Sequence, residues 1–209
     1  ALLKDKSGHL FIGGMEMGLS QFDFASGHFI HYKANPSDTN SLRSDNIFAL
    51  YQDSNGRIWA GQNCGGLSLF DFTTKKFKTF RKNKDADDCI KAIAETPDGK
   101  LWLINATSIE CFDPESGSFT TYTNNPSDPE SLSSNYGFSI FTDSKGALWV
   151  GTDAGLNVFD YKTKKFKKKY TIKNGLPDNA IKSINEDNFG NLWIGTDKGL
   201  SKFVNATEQ

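Results

Sequence analysis

Residues able to carry chemistry are few in this chain, and most recur in register with one another. Four Asp-x-x-Gly turns, Asp5 to Gly8, Asp53 to Gly56, Asp143 to Gly146 and Asp187 to Gly190, offer carboxylates to a hard cation such as calcium. Asp53-Ser54-Asn55-Gly56 begins like an EF-hand loop, but no Glu stands at the twelfth position and no helical pattern flanks it. The recurrence assigns the Asp to capping its own hairpin through backbone amides. His9, His28 and His31 are the only histidines, and His28 and His31 lie three apart on a predicted strand, facing opposite ways, so they cannot chelate together. Cys64, Cys89 and Cys111 contain no C-x-x-C pair, which excludes a zinc cage or a disulfide scaffold. No nucleophile elbow, metalloprotease helix, Walker loop or dinucleotide fingerprint occurs. No catalytic residue, metal or cofactor is therefore assigned.

The bulk properties narrow the partners. With 24 Lys+Arg against 25 Asp+Glu, a net charge of -1, the chain has no general affinity for phosphate, and no nucleic-acid partner is expected. At 37% hydrophobic and 13% aromatic residues it can bury a core. No apolar run of about eighteen residues occurs, and Ala1 to Leu10 has no signal-peptide pattern, so the segment is expected to be soluble, with no membrane contact of its own. Lysines crowd two stretches, Lys75 to Lys82 and Lys162 to Lys169. Edge strands need such charge to block strand-on-strand association; the rival reading is a groove for an anionic polysaccharide.

The elements that position these residues follow from a repeat. Leu10-Phe11-Ile12-Gly13, Ile58-Trp59-Ala60-Gly61, Leu101-Trp102-Leu103-Ile104, Leu148-Trp149-Val150-Gly151 and Leu192-Trp193-Ile194-Gly195 start 48, 43, 47 and 44 residues apart. An Asp-x-x-Gly turn precedes each, with Thr96 to Gly99 as the worn copy, and Gly-Leu-x-x-Phe follows each, with Ser108 to Phe112 degenerate. Each unit reads as four short strands, which in the second unit are predicted near 47–52, 58–62, 67–71 and 77–80. The fold expected is all-β: a β-propeller of four-stranded antiparallel blades, an incomplete arc of about five at 1–32, 46–80, 89–122, 135–170 and 180–204. One Trp per unit, in the second strand, is assigned to packing between blades. An arc would leave a Trp-bearing face open at its ends, which predicts association.

Asp187 to Phe203 (DNFGNLWIGTDKGLSKF) is the fullest copy of a pattern that resembles the two-component regulator propeller repeat. The linkers Asn35-Pro36-Ser37-Asp38, Asn125-Pro126-Ser127-Asp128 and Asn174 to Asn179 are similar to that family's as well. The resemblance implies a periplasmic sensor region of a hybrid two-component system, ahead of a membrane span and a histidine kinase, responding to carbohydrate breakdown products. The third unit departs from the pattern, with Ile104-Asn105 for Gly-Thr and Ser108 for the turn Gly, so its central turn must differ locally. The Asp turns are also similar to sialidase Asp-boxes, but with two residues rather than one between Asp and Gly. A sialidase site needs an arginine cluster, and only Arg43, Arg57 and Arg81 exist.

Binding in propellers concentrates on the loops entering each inner strand and on those joining the second and third strands. That rule selects Asp45, Asn46, Asn135, Tyr136, Asp178 and Asn179 from the first kind, and Gln62, Asn63, Asp153, Asp197 and Lys198 from the second. The set is polar and amide-rich, with one aromatic ring, and suits sugar hydroxyls. Cys64 and Cys89 fall on the same face in adjacent blades, so a disulfide is conceivable in an oxidising periplasm, with Cys111 left unpaired. The leading expectation is an oligosaccharide-binding segment that performs no chemistry, in a receptor that homodimerises through its parent or through exposed blade edges. The alternatives are an interaction scaffold without a small ligand, and a polysaccharide-active propeller enzyme, which would need two carboxylates or a Tyr/His pair converging on one face.

Overall fold

The computed structural model describes residues 1–82 and 88–204, and there each repeat folds into one antiparallel sheet. Contacts group the chain into two compact units, residues 1–95 with 114–118, and 96–113 with 119 onward. The first unit carries β1 (Leu2–Lys4), β2 (Leu10–Gly14), β3 (Gly18–Asp23) and β4 (His28–Tyr32) as one sheet, and β5 (Ile47–Gln52), β6 (Ile58–Gln62), β7 (Gly66–Asp71) and β8 (Lys76–Phe80) as the next, followed by β9 (Ala92–Glu95). The second is built on β10 (Leu101–Ile104), β11 (Ile109–Asp113) and β12 (Ser118–Tyr122), the sheet of β13 (Gly137–Thr142), β14 (Leu148–Thr152), β15 (Gly155–Asp160) and β16 (Lys165–Tyr170), and the three strands β17 (Ile181–Glu186), β18 (Leu192–Thr196) and β19 (Gly199–Phe203). The boundary falls inside the third sheet, whose order is β12-β11-β10-β9. Two strands of the second repeat begin one residue earlier than the pattern predicts; the others coincide with it. Among the described residues no helix is long and apolar enough to cross a membrane.

Each Asp-x-x-Gly turn closes the hairpin between the first two strands of its sheet. In the second repeat Asp53 Oδ1 accepts the Arg57 amide at 2.8 Å while Gly56, at φ 80°, supplies the left-handed residue that L side chains avoid. The other oxygen, Oδ2, accepts the indole N–H of Trp59 at 2.8 Å, and Asp143 does the same for Trp149 at 2.8 Å and Asp187 for Trp193 at 3.0 Å. The carboxylate that resembles a calcium ligand is thus engaged by its own hairpin and by the core tryptophan. In the first repeat Phe11 stands in the tryptophan position, and the His9 ring, 2.8 Å from Asp5 Oδ2, fills the vacant bond.

Packing between consecutive sheets explains the glycine two residues after the aromatic residue in the first, second and fourth repeats. A Cβ on Gly13 would lie 2.5 Å from Ile47, one on Gly61 2.8 Å from Ile90, and one on Gly151 2.7 Å from Ile181. In each pair the Ile belongs to the next repeat, so its side chain packs against bare backbone. The third repeat reverses the pair, with Ile104 set against Gly137. Trp59, Trp102 and Trp149 are buried as the repeat predicts, whereas Trp193 in the three-stranded sheet is 37% exposed.

Candidate functional site

The loops that enter β5, β13 and β17 share one construction. Asp45 Oδ1 accepts the Ala34 amide at 2.7 Å, Asn135 Oδ1 the Asn124 amide at 2.6 Å and Asn179 Oδ1 the Ile172 amide at 3.0 Å. Each side chain ties the incoming linker to the start of its inner strand. Three residues before the strand a second cap recurs, in which side-chain oxygens of Ser44, Ser134 and Asp178 accept the amides of Asn46, Tyr136 and Ala180. Asn46 turns its own oxygen on the Glu16 amide at 2.6 Å.

Gln62 corrects the amide-rich reading most clearly. It is fully buried, its Oε1 accepts the Arg43 and Ser44 amides at 2.8 and 2.9 Å, and its Nε2 donates to Ser68 Oγ at 2.7 Å. A ligand cannot reach it without unfolding the loop. In the fourth repeat the buried Asn157 does this work, accepting the Ser133 amide at 2.9 Å and donating to the Val150 carbonyl at 3.2 Å. Asn157 was not selected from the sequence, because a strand-interior Asn carries no loop signal.

In the first unit Asp45, Asn46 and Asn63 are each half-buried; the Asn63 amide donates to the Asn46 carbonyl at 2.9 Å, and its Oδ1 accepts the Cys64 thiol at 3.6 Å. More remains open in the second unit. Tyr136 is 58% exposed, and the amide of the exposed Asp153 donates to the Tyr136 carbonyl at 3.2 Å, which ties the β14–β15 turn to the residue bearing the ring. Phe138, in the inner strand β13 that follows, is 41% exposed and carries the Lys182 ammonium 3.7 Å above its ring. Lys182 pairs with Asp197 at 3.3 Å, and Lys198 with Asp178 at 2.9 Å. The Lys198 bond holds the Asp178 carboxyl below the usual carboxylate range and raises the Lys198 ammonium in turn. Phe138 and Lys182 went unselected, since an aromatic residue inside a strand reads as core.

Exposed rings bordered by paired charges can stack on the apolar face of a polyhydroxylated ligand and hydrogen-bond its hydroxyls. The lysine-rich outer strand β16 is a poorer grip for a polyanion, because Lys165 already meets Asp128 at 3.1 Å and Glu130 at 3.2 Å, and Lys167 meets Asp160 at 3.4 Å. A concavity of about 550 Å³ lies at the opposite end of these strands, lined by residues including Pro97, Lys145, Phe159 and Tyr161. None of the candidate residues lines it.

Residues 41–63, 131–154 and 175–198 match the family model described as two component regulator propeller. Among solved structures, the extracellular domain of a B. thetaiotaomicron protein described as a hybrid two-component system aligns at a TM-score of 0.79 and 24% identity, over 98% of this chain and 27% of that one. A second extracellular domain from B. thetaiotaomicron, described as part of a one-component system, gives 0.76 and 22% over 93% and 25%. Virginiamycin B lyase from Staphylococcus aureus gives 0.70 and 17% over 99% and 70%. At these identities the likeness establishes the propeller fold alone, and the chain spans about a quarter of the length of the first two proteins. Comparison with curated proteins finds no match. The fold is that of a β-propeller, and three stretches of it match the two-component regulator propeller model.

Proposed function

We propose that the chain is the ligand-sensing part of the extracytoplasmic region of a hybrid two-component receptor, placed in the periplasm, and that it binds an oligosaccharide without transforming it. The observation that carries this reading is the exposed Tyr136 ring, tied through its carbonyl to the turn bearing Asp153. An aromatic ring and an exposed carboxylate are a pairing that carbohydrate recognition uses, stacking for the ring and bidentate bonds for the hydroxyls. Phe138, Lys182 and Asp197 extend the surface within the same unit. The receptor acts as a homodimer, passing a change in packing towards a membrane span.

The test is calorimetric titration of the intact receptor with plant, host and microbial oligosaccharides. One sugar class should bind, and Tyr136→Ala and Asp153→Ala combined should weaken it by at least tenfold, about 1.4 kcal/mol. Unchanged affinity in the double variant removes the site from this surface. Shortening of the polysaccharide favours the enzyme reading, and indifference to every sugar favours the scaffold.

A further inference from the structure

Two cysteines that the repeat does not require meet in the first unit. Cys64 occupies the β6–β7 turn at φ 55°, a position that Glu16 holds at φ 59° in the first repeat, so the turn itself needs no thiol. Cys89 is buried in the segment that leads into β9. Their sulfurs lie 2.6 Å apart, and the Cys64 amide donates to Cys89 Sγ at 3.1 Å. Backbone bonds on both sides build this approach: the Ile90 amide donates to the Gln62 carbonyl at 2.9 Å, and the Gly66 amide to the Asp88 carbonyl at 2.9 Å. The two segments are therefore held in register without help from the sulfurs.

We infer that Cys64 and Cys89 form a disulfide when the chain meets a thiol-oxidising environment, locking the turn that carries Asn63 to the segment entering β9. The exposed Cys64 attacks the disulfide of an oxidant such as oxidised glutathione, forming a mixed disulfide and releasing one thiol; Cys89 then displaces the second. Two protein S–H bonds and one oxidant S–S bond become one protein S–S bond and two oxidant S–H bonds, so electrons and protons balance. Cys111, in β11, does not compete: burial pushes its thiol up to about 11, which leaves little thiolate at neutral pH. The bond spans 25 residues of sequence, enclosing β7 and β8, and restricts the unfolded chain accordingly. This inference stands apart from the ligand reading.

The chain is equilibrated with oxidised glutathione, quenched in acid, unfolded, alkylated with N-ethylmaleimide and mapped by peptide mass. The expected result is alkylation at Cys111 alone and a linked peptide pair containing Cys64 and Cys89. Dithiothreitol should lower the melting temperature by several degrees, while the Cys64→Ser and Cys89→Ala variants should melt identically with and without it. Three alkylated thiols, glutathione retained on Cys64, or a link through Cys111 overturns the disulfide. A bond that forms without moving the melting temperature overturns the lock.

Discussion

Asp187 concentrates several bonds on one carboxylate. Its Oδ1 accepts the amides of Phe189 and Asn191 at 3.0 and 2.9 Å, and its Oδ2 accepts Asn191 Nδ2 at 2.9 Å and the Trp193 indole at 3.0 Å. All these donors favour the ionised form, the Asn191 side chain most, and they lower the carboxyl to about 2. The folded value lies below the unfolded one, so the stabilisation is complete above about pH 4 and disappears as pH falls through about 2. Carbon-detected NMR titration of the folded chain should give Asp187 a midpoint near pH 2, and Asn191→Ala should move it upward; a midpoint near 4 in both proteins would sink the account. The spacing behind this network was legible, since Asp53, Asp143 and Asp187 each stand six residues before a tryptophan. Sequence reasoning gave the Asp to the turn and the Trp to the core, and so missed that a buried indole N–H also needs an acceptor.

At the scale of elements, the third repeat shows why one irregularity could be seen but not explained. Its Ile104 replaces the glycine that other repeats press against an Ile of the next sheet, and its partner is Gly137, where the other sheets carry Ile47, Ile90 and Ile181. Volume is conserved across the contact although both residues are exchanged. The compensating residue lies one repeat downstream, so inspection of the third repeat alone suggests only drift. Its altered turn is equally self-consistent: the Asn105 amide donates to the Ser108 carbonyl at 3.0 Å and Ala106 caps onto Asn105 Oδ1 at 2.7 Å, with no left-handed residue from 104 to 109. Replacing Ile104 by Gly should cost about 3–5 kcal/mol through the cavity and the added backbone freedom. Gly137→Ile should cost at least about 1–3 kcal/mol through overpacking, because its Cβ would lie 2.8 Å from Ile109 and 3.0 Å from Ile104. The double variant should be more stable than additivity allows, with a coupling on the order of 1–3 kcal/mol in urea unfolding. Strict additivity would mean that the two positions do not share one packing site.

At the scale of the whole molecule, fold and candidate site were unequally legible. Strand positions, sheet order and buried tryptophans follow from a period written five times along the chain, whereas the binding set was chosen by loop position, and Asn, Asp and Gln build loops as readily as they line sites. Asp45, Asn135, Asn179 and Gln62 also hold their own loops, while Phe138 and Lys182 emerged only once exposure was known. Exposure also marks the three-stranded sheet. Trp193 pairs across the sheet with Lys202, whose ammonium sits 5.5 Å over the indole, and Leu200, two residues earlier on the same strand face, is 61% exposed. Trp59, Trp102 and Trp149 are at most 4% exposed, so 37% at Trp193 identifies an apolar face without its partner sheet among the described residues. Such a face associates in water because burying one leucine is worth about 1.5–3 kcal/mol. Light scattering on the purified chain should therefore give a mass above the 23.2 kDa of one copy, rising with concentration. Leu200→Lys should return it to a single copy, since the added ammonium would have to be desolvated beside Lys202 on the same face. A native chain that stays at 23.2 kDa across the concentration range would show that this face is content in water, and the driving force for pairing would then have to lie outside these repeats.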